Sequence, residues 1–349
     1  MSDFKTKTVY NENEWTKLVK AEILKIVDEQ IFSAWLESVA DGLGYTMEVL
    51  EIPDWEYTTM LGTHWLPIIG EFDEFPIINR EQGYRKGYKL QRAWGAVAIS
   101  RQLQEWINVA TSSDKLSPLV KAELSKLARD TQRLVNAAKI TKNELATEVL
   151  SNWFDSAKSF YPDWQPLFSA SHKIKSTWAT QSNLVSGALT TTTLLEAVEK
   201  LRNMRDGMGR KMKINGVYTL IVPSELEDTA RQVLNDSEKF AAITTSNAQA
   251  QNDVTINLFS WNGFKVELMV LETLNQPKLD GTTVGTATQW FVMDKTRARE
   301  LEALKYLQLY TDKVDMYVDN KTKVLFFDID LSMTCDFYNY EFICGSTGV

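Results

Sequence analysis

The residues of this chain with the most chemistry in them are few: two histidines, two cysteines and an Asp-Ile-Asp pair near the C-terminus. His172 follows Ser169 and Ser171 in the run Ser-Ala-Ser-His, which invites a nucleophile–base reading, while His64 lies in Thr-His-Trp. A serine nucleophile needs a base within hydrogen-bond reach and a third group to orient that base. Near neighbours in one loop rarely meet that geometry, and the G-x-S-x-G turn that presents a serine above a sheet is absent. Cys335 and Cys344 are too few for a disulfide framework and lack C-x-x-C spacing, so they read as reduced thiols in strands. Asp328 and Asp330 share one face of a strand with no supporting ligand set, and read as two solvent-facing carboxylates. The glycines of Arg205–Lys211 fit neither the dinucleotide fingerprint nor a P-loop, and H-E-x-x-H is absent. The sequence offers no catalytic residues, no metal site and no cofactor motif, and points away from an enzyme.

A different chemistry, charge recognition, is concentrated in one stretch. Arg80, Arg85, Lys86, Lys89 and Arg92 crowd into Glu71–Ser100 of a chain whose net charge is −8. Phe75–Ile78 and Tyr84–Ile99 are β-prone, with Asn79, Glu81 and Gly83 in the turn between them. This predicts a long basic hairpin, and an isolated hairpin is marginal in water. Two readings stay open: a solvated surface ribbon, or an intersubunit arm laid on an acidic neighbour. The overall acidity argues against a bulk surface that binds nucleic acid, because phosphate binding needs a basic face. It is compatible with a protein that encloses nucleic acid without gripping it.

These residues need elements to hold them, and the longest predicted element is a helix from Pro118 to Trp153. Ser117 suits the N-cap and Pro118 the first turn. Leu119, Val120, Leu124, Leu127, Ala128, Leu134, Val135, Ala138, Leu145, Val149 and Leu150 then recur at helical spacing. Such a helix is about 50 Å long at about 1.5 Å per residue. It is either a long core helix or the spine of a flat subunit. Ahead of it, Glu12–Ala40 reads as an amphipathic helix and Glu48–Trp65 as a Trp- and Tyr-rich connector. Behind it, an α/β pattern runs through a helix at Leu194–Met208, a strand at Gly216–Pro223 and a helix at Ser224–Asn235. That last helix has Ser224 as N-cap and Glu227 completing a capping box. Ala241–Asp253 and Leu274–Thr288 read as loops. Thr255–Phe259, Phe264–Leu271 and Gln289–Met293 read as strands, Leu301–Tyr310 as helix or strand, and Val314–Val318 and Val324–Tyr338 as strands. The class is α+β. With 349 residues, 44% of them hydrophobic, the chain has material for a large core. Met1–Asn13 is polar, unlike a signal peptide, and no apolar run approaches the ~20 residues of a membrane span. A cytosol-like compartment and no membrane partner are expected.

The block Leu167–Phe240 carries a resemblance. It contains Leu-Phe-Ser-Ala-Ser-His, then L-x-x-A-x-x-x-L-R-N-M-R-D, then Gly209 and Arg210, then YTLIVPSELEDTARQVL. Upstream, LSKLARDTQRLVNAAKITKNELATEVL and VAISRQLQEW belong to the same pattern, as does FFDIDLSMTCDFYNY at the C-terminal end. This succession resembles major capsid proteins of tailed phages, in particular the Mu-like major head subunit branch, over most of Pro67–Tyr340.

The resemblance implies the Hong Kong ninety-seven type capsid fold, with a long spine helix, peripheral and axial domains, an extended β-hairpin loop and an N-terminal arm. The implied divisions are 1–50 for the arm, 51–100 for the extended loop, and 101–185 for the peripheral domain with the spine. Residues 186–289 form the axial domain and 290–349 the C-terminal strands of the peripheral domain. The implied function is structural: self-assembly through pentamers and hexamers into an icosahedral shell around double-stranded DNA, without sequence-specific binding. The shell would form in the host bacterial cytoplasm and become the virion head. Its partners would be copies of itself, with portal, scaffold or decoration proteins as further ones. No cofactor is implied. The cations Arg80, Arg85, Lys86, Lys89 and Arg92 become intersubunit contacts of the extended loop. Two alternatives remain: an encapsulin-like shell around protein cargo, and a soluble α+β enzyme.

Overall fold

After Pro118 no glycine or further proline interrupts the chain until beyond Trp153, and the segment folds as one helix, α1 (Pro118–Ser151), of 34 residues. Pro118 opens it, where its missing N–H would have had no intrahelical partner. The computed structural model describes residues 42–50, 54–60, 82–102, 118–151, 154–155, 163, 165–174, 177–236, 265–278, 282–309, 313–319, 321–322 and 324–349. The helix expected at Glu12–Ala40, the strands at Phe75–Ile78 and Thr255–Phe259, the loop Ala241–Asp253 and Arg80 lie outside these residues. Along α1, Thr131, Val135, Ala138, Lys142, Ala146, Val149 and Leu150 are buried, while Lys126, Arg129, Arg133, Ala137 and Ile140 are exposed. That spacing puts one stripe inward from Thr131 to Leu150.

The stripe lies on a five-stranded sheet. Its strands are β1 (Thr46–Val49), β4 (Gln91–Ile99), β10 (Leu304–Gln308), β11 (Lys313–Val318) and β12 (Leu325–Phe337). β12 is central: β4 runs antiparallel along one edge, while β10 and β11 share the other end to end. β1 adds in parallel outside β10. Alternation along β12 buries Leu325, Phe327, Ile329 and Leu331, which join the core cluster that also holds Val135 and Ala138. Gly95 of β4 lets the helix approach, since a Cβ there would lie 2.7 Å from Leu134 Cδ1. The segment Leu301–Tyr310, open between helix and strand in the sequence, contains strand β10. Lys305 on it is buried and sits between Glu48 and Glu302, each at 3.0 Å.

β2 (Asp54–Met60) and β3 (Gln82–Lys89) form a separate antiparallel ribbon. Among the described residues the strand partner of Tyr84–Lys89 is Asp54–Met60, in the segment read as a connector; its Trp, Tyr and Thr residues are good strand formers. The long run Tyr84–Ile99 divides at Leu90 into β3 and β4. The ribbon is rooted on its own subunit. Tyr88 packs with Leu50, Leu307 and Tyr338, its ring 4.9 Å from that of Tyr338.

The second large sheet orders its strands β13 (Ile343–Ser346), β9 (Trp290–Met293), β7 (Val217–Val222) and β8 (Lys265–Val270). β7 and β8 are parallel and the other pairs antiparallel. The sheet thus continues past the division drawn at residue 289 and recruits the last strand of the chain. Packed with it are α2 (Thr191–Asn203), which buries Leu194, Ala197, Val198 and Leu201, and α3 (Glu227–Asp236). Thr190 caps α2 reciprocally with Thr193. The helix ends at Asn203, short of the expected Met208. The capping box expected at Ser224 does not form. Pro223 leads into a 3₁₀ turn, Ser224–Leu226, and the Ser224 hydroxyl donates to Glu225 Oε2 at 3.2 Å instead of accepting from a backbone N–H.

The chain crosses between the sheets at 294–303, which includes α4 (Lys295–Glu300), and again at 338–342. The crossings are tied together. Asp294 N–H donates to the Phe342 carbonyl at 2.9 Å, and Tyr338 N–H to the Ala303 carbonyl at 2.8 Å. Arg297, only 2% exposed, donates to the carbonyls of Leu201 (2.9 Å), Glu341 (3.0 Å) and Lys213 (2.8 Å).

Glu341 in the second crossing is buried, and burial pushes its carboxyl up to about 7 from the ordinary 4.5, partly offset by backbone N–H donors and by nearby His172. The folded state therefore holds a proton that the unfolded chain has already released between those two values. Stability from this group is highest below the unfolded value and falls as pH rises toward about 7. Glu341→Gln keeps an acceptor for the Tyr340 N–H, which donates to Glu341 Oε2 at 3.2 Å. We expect the variant to be more stable than wild type at pH 8, by at most about 3 kcal/mol, and to show no advantage near pH 4. Urea unfolding of both proteins across that range is the measurement. A constant difference at all pH values would show that Glu341 does not titrate in this window.

Candidate assembly surface

The basic stretch divides once its strands are in register. Lys86 is largely buried: its Nζ lies 2.7 Å from Asp336 Oδ1 and 3.9 Å from the centroid of the Phe337 ring. Burial lowers its ammonium pKa, and the Asp336 carboxylate works against that fall. Arg92 remains exposed but grips Asp330 with two donors, Nε to Oδ1 at 2.8 Å and Nη2 to Oδ2 at 2.6 Å. Both cations thus have a carboxylate of their own subunit. Lys89 is exposed and forms no ion pair among the described residues; in the ladder it stands opposite Asp54. Arg85 stands opposite Thr58.

The same register explains Asp328 and Asp330, which are not a pair of freely solvated carboxylates. Each lies on the sheet face turned away from α1, across from β4. Asp330 takes Arg92, and Asp328 Oδ2 accepts from the Trp94 indole N–H at 3.1 Å. Trp94 nevertheless keeps 58% of its surface exposed. The composition of Glu71–Ser100 shows the cations, but only the β4–β12 pairing shows which are already neutralised. Trp94 and Asp336 were not legible as parts of this surface for the same reason.

The remaining reactive groups among the described residues are structural; His64 lies outside them. His172 is fully buried, with Nδ1 3.0 Å from Asp163 Oδ2 and Nε2 2.8 Å from the Leu167 carbonyl, and its ring stacks on Tyr340 at 3.8 Å. Ser169 turns its hydroxyl to Gln165 Oε1 at 3.0 Å instead of to the imidazole. Burial pushes the Cys344 thiol up to about 12 and that of Cys335 well above its usual value, so neither supplies a thiolate near neutral pH. No group of three or more potential metal ligands occurs among the described residues, and no described helix is long and apolar enough to cross a membrane.

The described residues thus form a long helix beneath one sheet, a second sheet tied to the first at two crossings, and a ribbon rooted on the first sheet. The chain belongs to the phage capsid protein family, whose family model matches residues 95–329. The likeness to phage major capsid proteins read from the sequence holds at the level of the family, as does the structural, non-enzymatic role. Several solved structures are similar. The capsid of Ralstonia phage GP4 is 10% identical over 86% of this chain and 86% of that chain, with a TM-score of 0.48. The capsid of Staphylococcus phage Andhra is 9% identical over 87% of this chain and 83% of that one, with a TM-score of 0.45. A virus-like particle from Pyrococcus furiosus is 8% identical over 96% of this chain and 100% of that one, with a TM-score of 0.43. No curated protein matches the sequence. The chain is a shell-forming capsid protein that self-associates in the virion capsid.

Proposed function

We propose that this protein is the major head subunit of a tailed phage, assembling through pentamers and hexamers into a closed shell around double-stranded DNA. The observation that carries this reading is the family match over residues 95–329. In this reading 1–50 is an arm, 51–100 the extended loop, the α1 sheet the peripheral domain, and the β7–β8 sheet the axial domain at the ring centres. Ring contacts are heterologous, one patch meeting a different patch on the next copy, and close when the rotation closes. A net charge of −8 suits a container that holds DNA without sequence-specific contacts. Portal, scaffold and decoration proteins are the further partners expected of such a shell, assembled in the host cytoplasm. Negative-stain microscopy with nuclease protection tests the proposal. Shells with five- and six-fold rings enclosing nuclease-resistant DNA are expected. Shells filled with protein alone would refute the DNA assignment, and a discrete monomer or dimer would refute the shell.

The extended loop gives this proposal a charge test. Lys89, together with Arg85 and Arg80, is assigned to an acidic neighbouring subunit, where opposite charge sets register and speeds docking. Single exposed pairs contribute about 0–1 kcal/mol, but the contact repeats at every subunit. Arg85→Glu with Lys89→Glu is expected to leave circular dichroism unchanged and reduce sedimenting shells severalfold. Lys86→Glu is expected to behave differently, lowering subunit stability itself by placing a second carboxylate against Asp336. Identical behaviour of the two variants would remove the distinction drawn here.

A further inference from the structure

The short hairpin of β5 (His172–Lys173) and β6 (Thr180–Gln181) combines a rigid base with an exposed, strained tip. At the base, His172 is held as described above. Gln181 Nε2 donates to the Arg205 carbonyl at 2.9 Å and to the Tyr340 hydroxyl at 2.6 Å, and its Oε1 accepts from Arg205 N–H at 3.0 Å. At the tip, Trp178 N–H donates to the Ile174 carbonyl at 2.7 Å and Ile174 N–H to the Ala179 carbonyl at 2.8 Å. This closure holds Trp178 at a φ of 56°, in the left-handed region that a bulky aromatic rarely adopts. Glycine meets that conformation without strain. Instead the position carries tryptophan, and 69% of its surface faces solvent. Its described intrachain ring partner is the Lys173 ammonium, 5.9 Å from the ring centroid. Strain and exposure together disfavour tryptophan here in the isolated subunit, and a side chain kept under such conditions marks a contact made elsewhere.

The charge around the tip indicates its occupant. Among the described residues of the hairpin, 171–174 and 177–181, the exposed charge is Lys173 and no residue is acidic, within a chain of net charge −8; the nearest carboxylate, Asp163, is buried against His172. A basic aromatic knob on an acidic protein is complementary to another copy of that protein. We propose that the β5–β6 hairpin is an intersubunit contact of the shell, with Trp178 as its anchor on an acidic, partly apolar surface of a second copy. This rests on the shell-forming reading. A rigid base means that little ordering accompanies docking, which is the condition under which a single aromatic dominates an interface.

The test uses the full chain and its Trp178→Gly and Trp178→Phe variants. Relief of the left-handed strain predicts a Trp178→Gly subunit at least as resistant to urea as wild type. The concentration at which it assembles is expected to rise roughly 30-fold, as for truncation of a hot spot, with Trp178→Phe intermediate. The fluorescence difference between wild type and Trp178→Phe should shift to the blue on assembly. A Trp178→Gly subunit that unfolds more easily would make the ring a structural residue and overturn the proposal. So would assembly at wild-type concentration, or a difference spectrum that shifts only when double-stranded DNA is added. If wild type itself forms no shells, the shell-forming reading fails. If it forms shells and Trp178 stays in water, only this contact fails.

Discussion

Subunits carrying Arg297→Met should unfold at a much lower urea concentration than wild type, through a loss of about 3–5 kcal/mol when one partner of a buried ion pair is removed. Three carbonyls from three segments converge on this guanidinium, at Leu201, Lys213 and Glu341. The first is in the last turn of α2, where a cation also complements the helix dipole. Asp294, fully buried, caps α4 by accepting from Arg297 N–H at 2.9 Å and is also held by Asn215 Nδ2 at 3.1 Å. Without the guanidinium that carboxylate is buried beside unpaired carbonyls. Stability of a whole domain is only about 5–15 kcal/mol, so the loss takes a large share. The double variant Asp294→Asn/Arg297→Met removes the stranded charge and keeps an N-cap residue as effective as aspartate. It should be more stable than Arg297→Met alone, a sign that ordinary additivity forbids. Urea midpoints of the three proteins decide the matter; a double variant weaker than both singles would mean that the two side chains act independently.

Arg297 was not legible in the sequence, and the reason is general. Period and run length reveal elements that depend on local pattern: α1, β7, β8, β11 and β12 lie where apolar spacing places them. Contacts set by tertiary register leave no such trace. Arg92 and Asp330 are 238 positions apart, and their pairing follows only from β4 lying antiparallel on β12. The five cations therefore looked alike in the sequence, although Lys86 and Arg92 are answered within the subunit. The pairing of β3 with Asp54–Met60 across a long connection was not legible because Phe75–Ile78, which lies outside the described residues, is nearer in sequence. Ser224 has the right type for a cap, but its hydroxyl finds Glu225 first. Trp178 could have been noticed only as an aromatic in a basic, acid-free stretch; its strain is a property of the closed turn.

Ala137→Pro should abolish particles, and Ala137→Gly should not. Ala137 is an exposed residue of α1 that sits between buried Val135 and Ala138, so neither change removes a packed side chain. Both act on the backbone alone. Glycine in a helix interior lowers stability by about 1 kcal/mol relative to alanine. Proline deletes the N–H bond to the Arg133 carbonyl and drives its ring against that carbonyl, at about 3 kcal/mol or more. The larger consequence is geometric. α1 packs on β4 and β12, while near its C-terminal end Thr147 meets Thr273 and Lys278 Nζ lies 2.6 Å from Glu148 Oε1, so a kink at its middle cannot keep both ends seated. Gly95, placed to admit Leu134 at close range, leaves no slack for a displaced turn. A shell adds a further demand, because a bent tile meets each neighbour at the wrong angle and the error recurs at every copy. Soluble Ala137→Gly protein that forms shells, beside Ala137→Pro protein that is insoluble or unassembled, is the expected pair of results. Normal shells from the proline variant would show that straightness of α1 is dispensable to the tile.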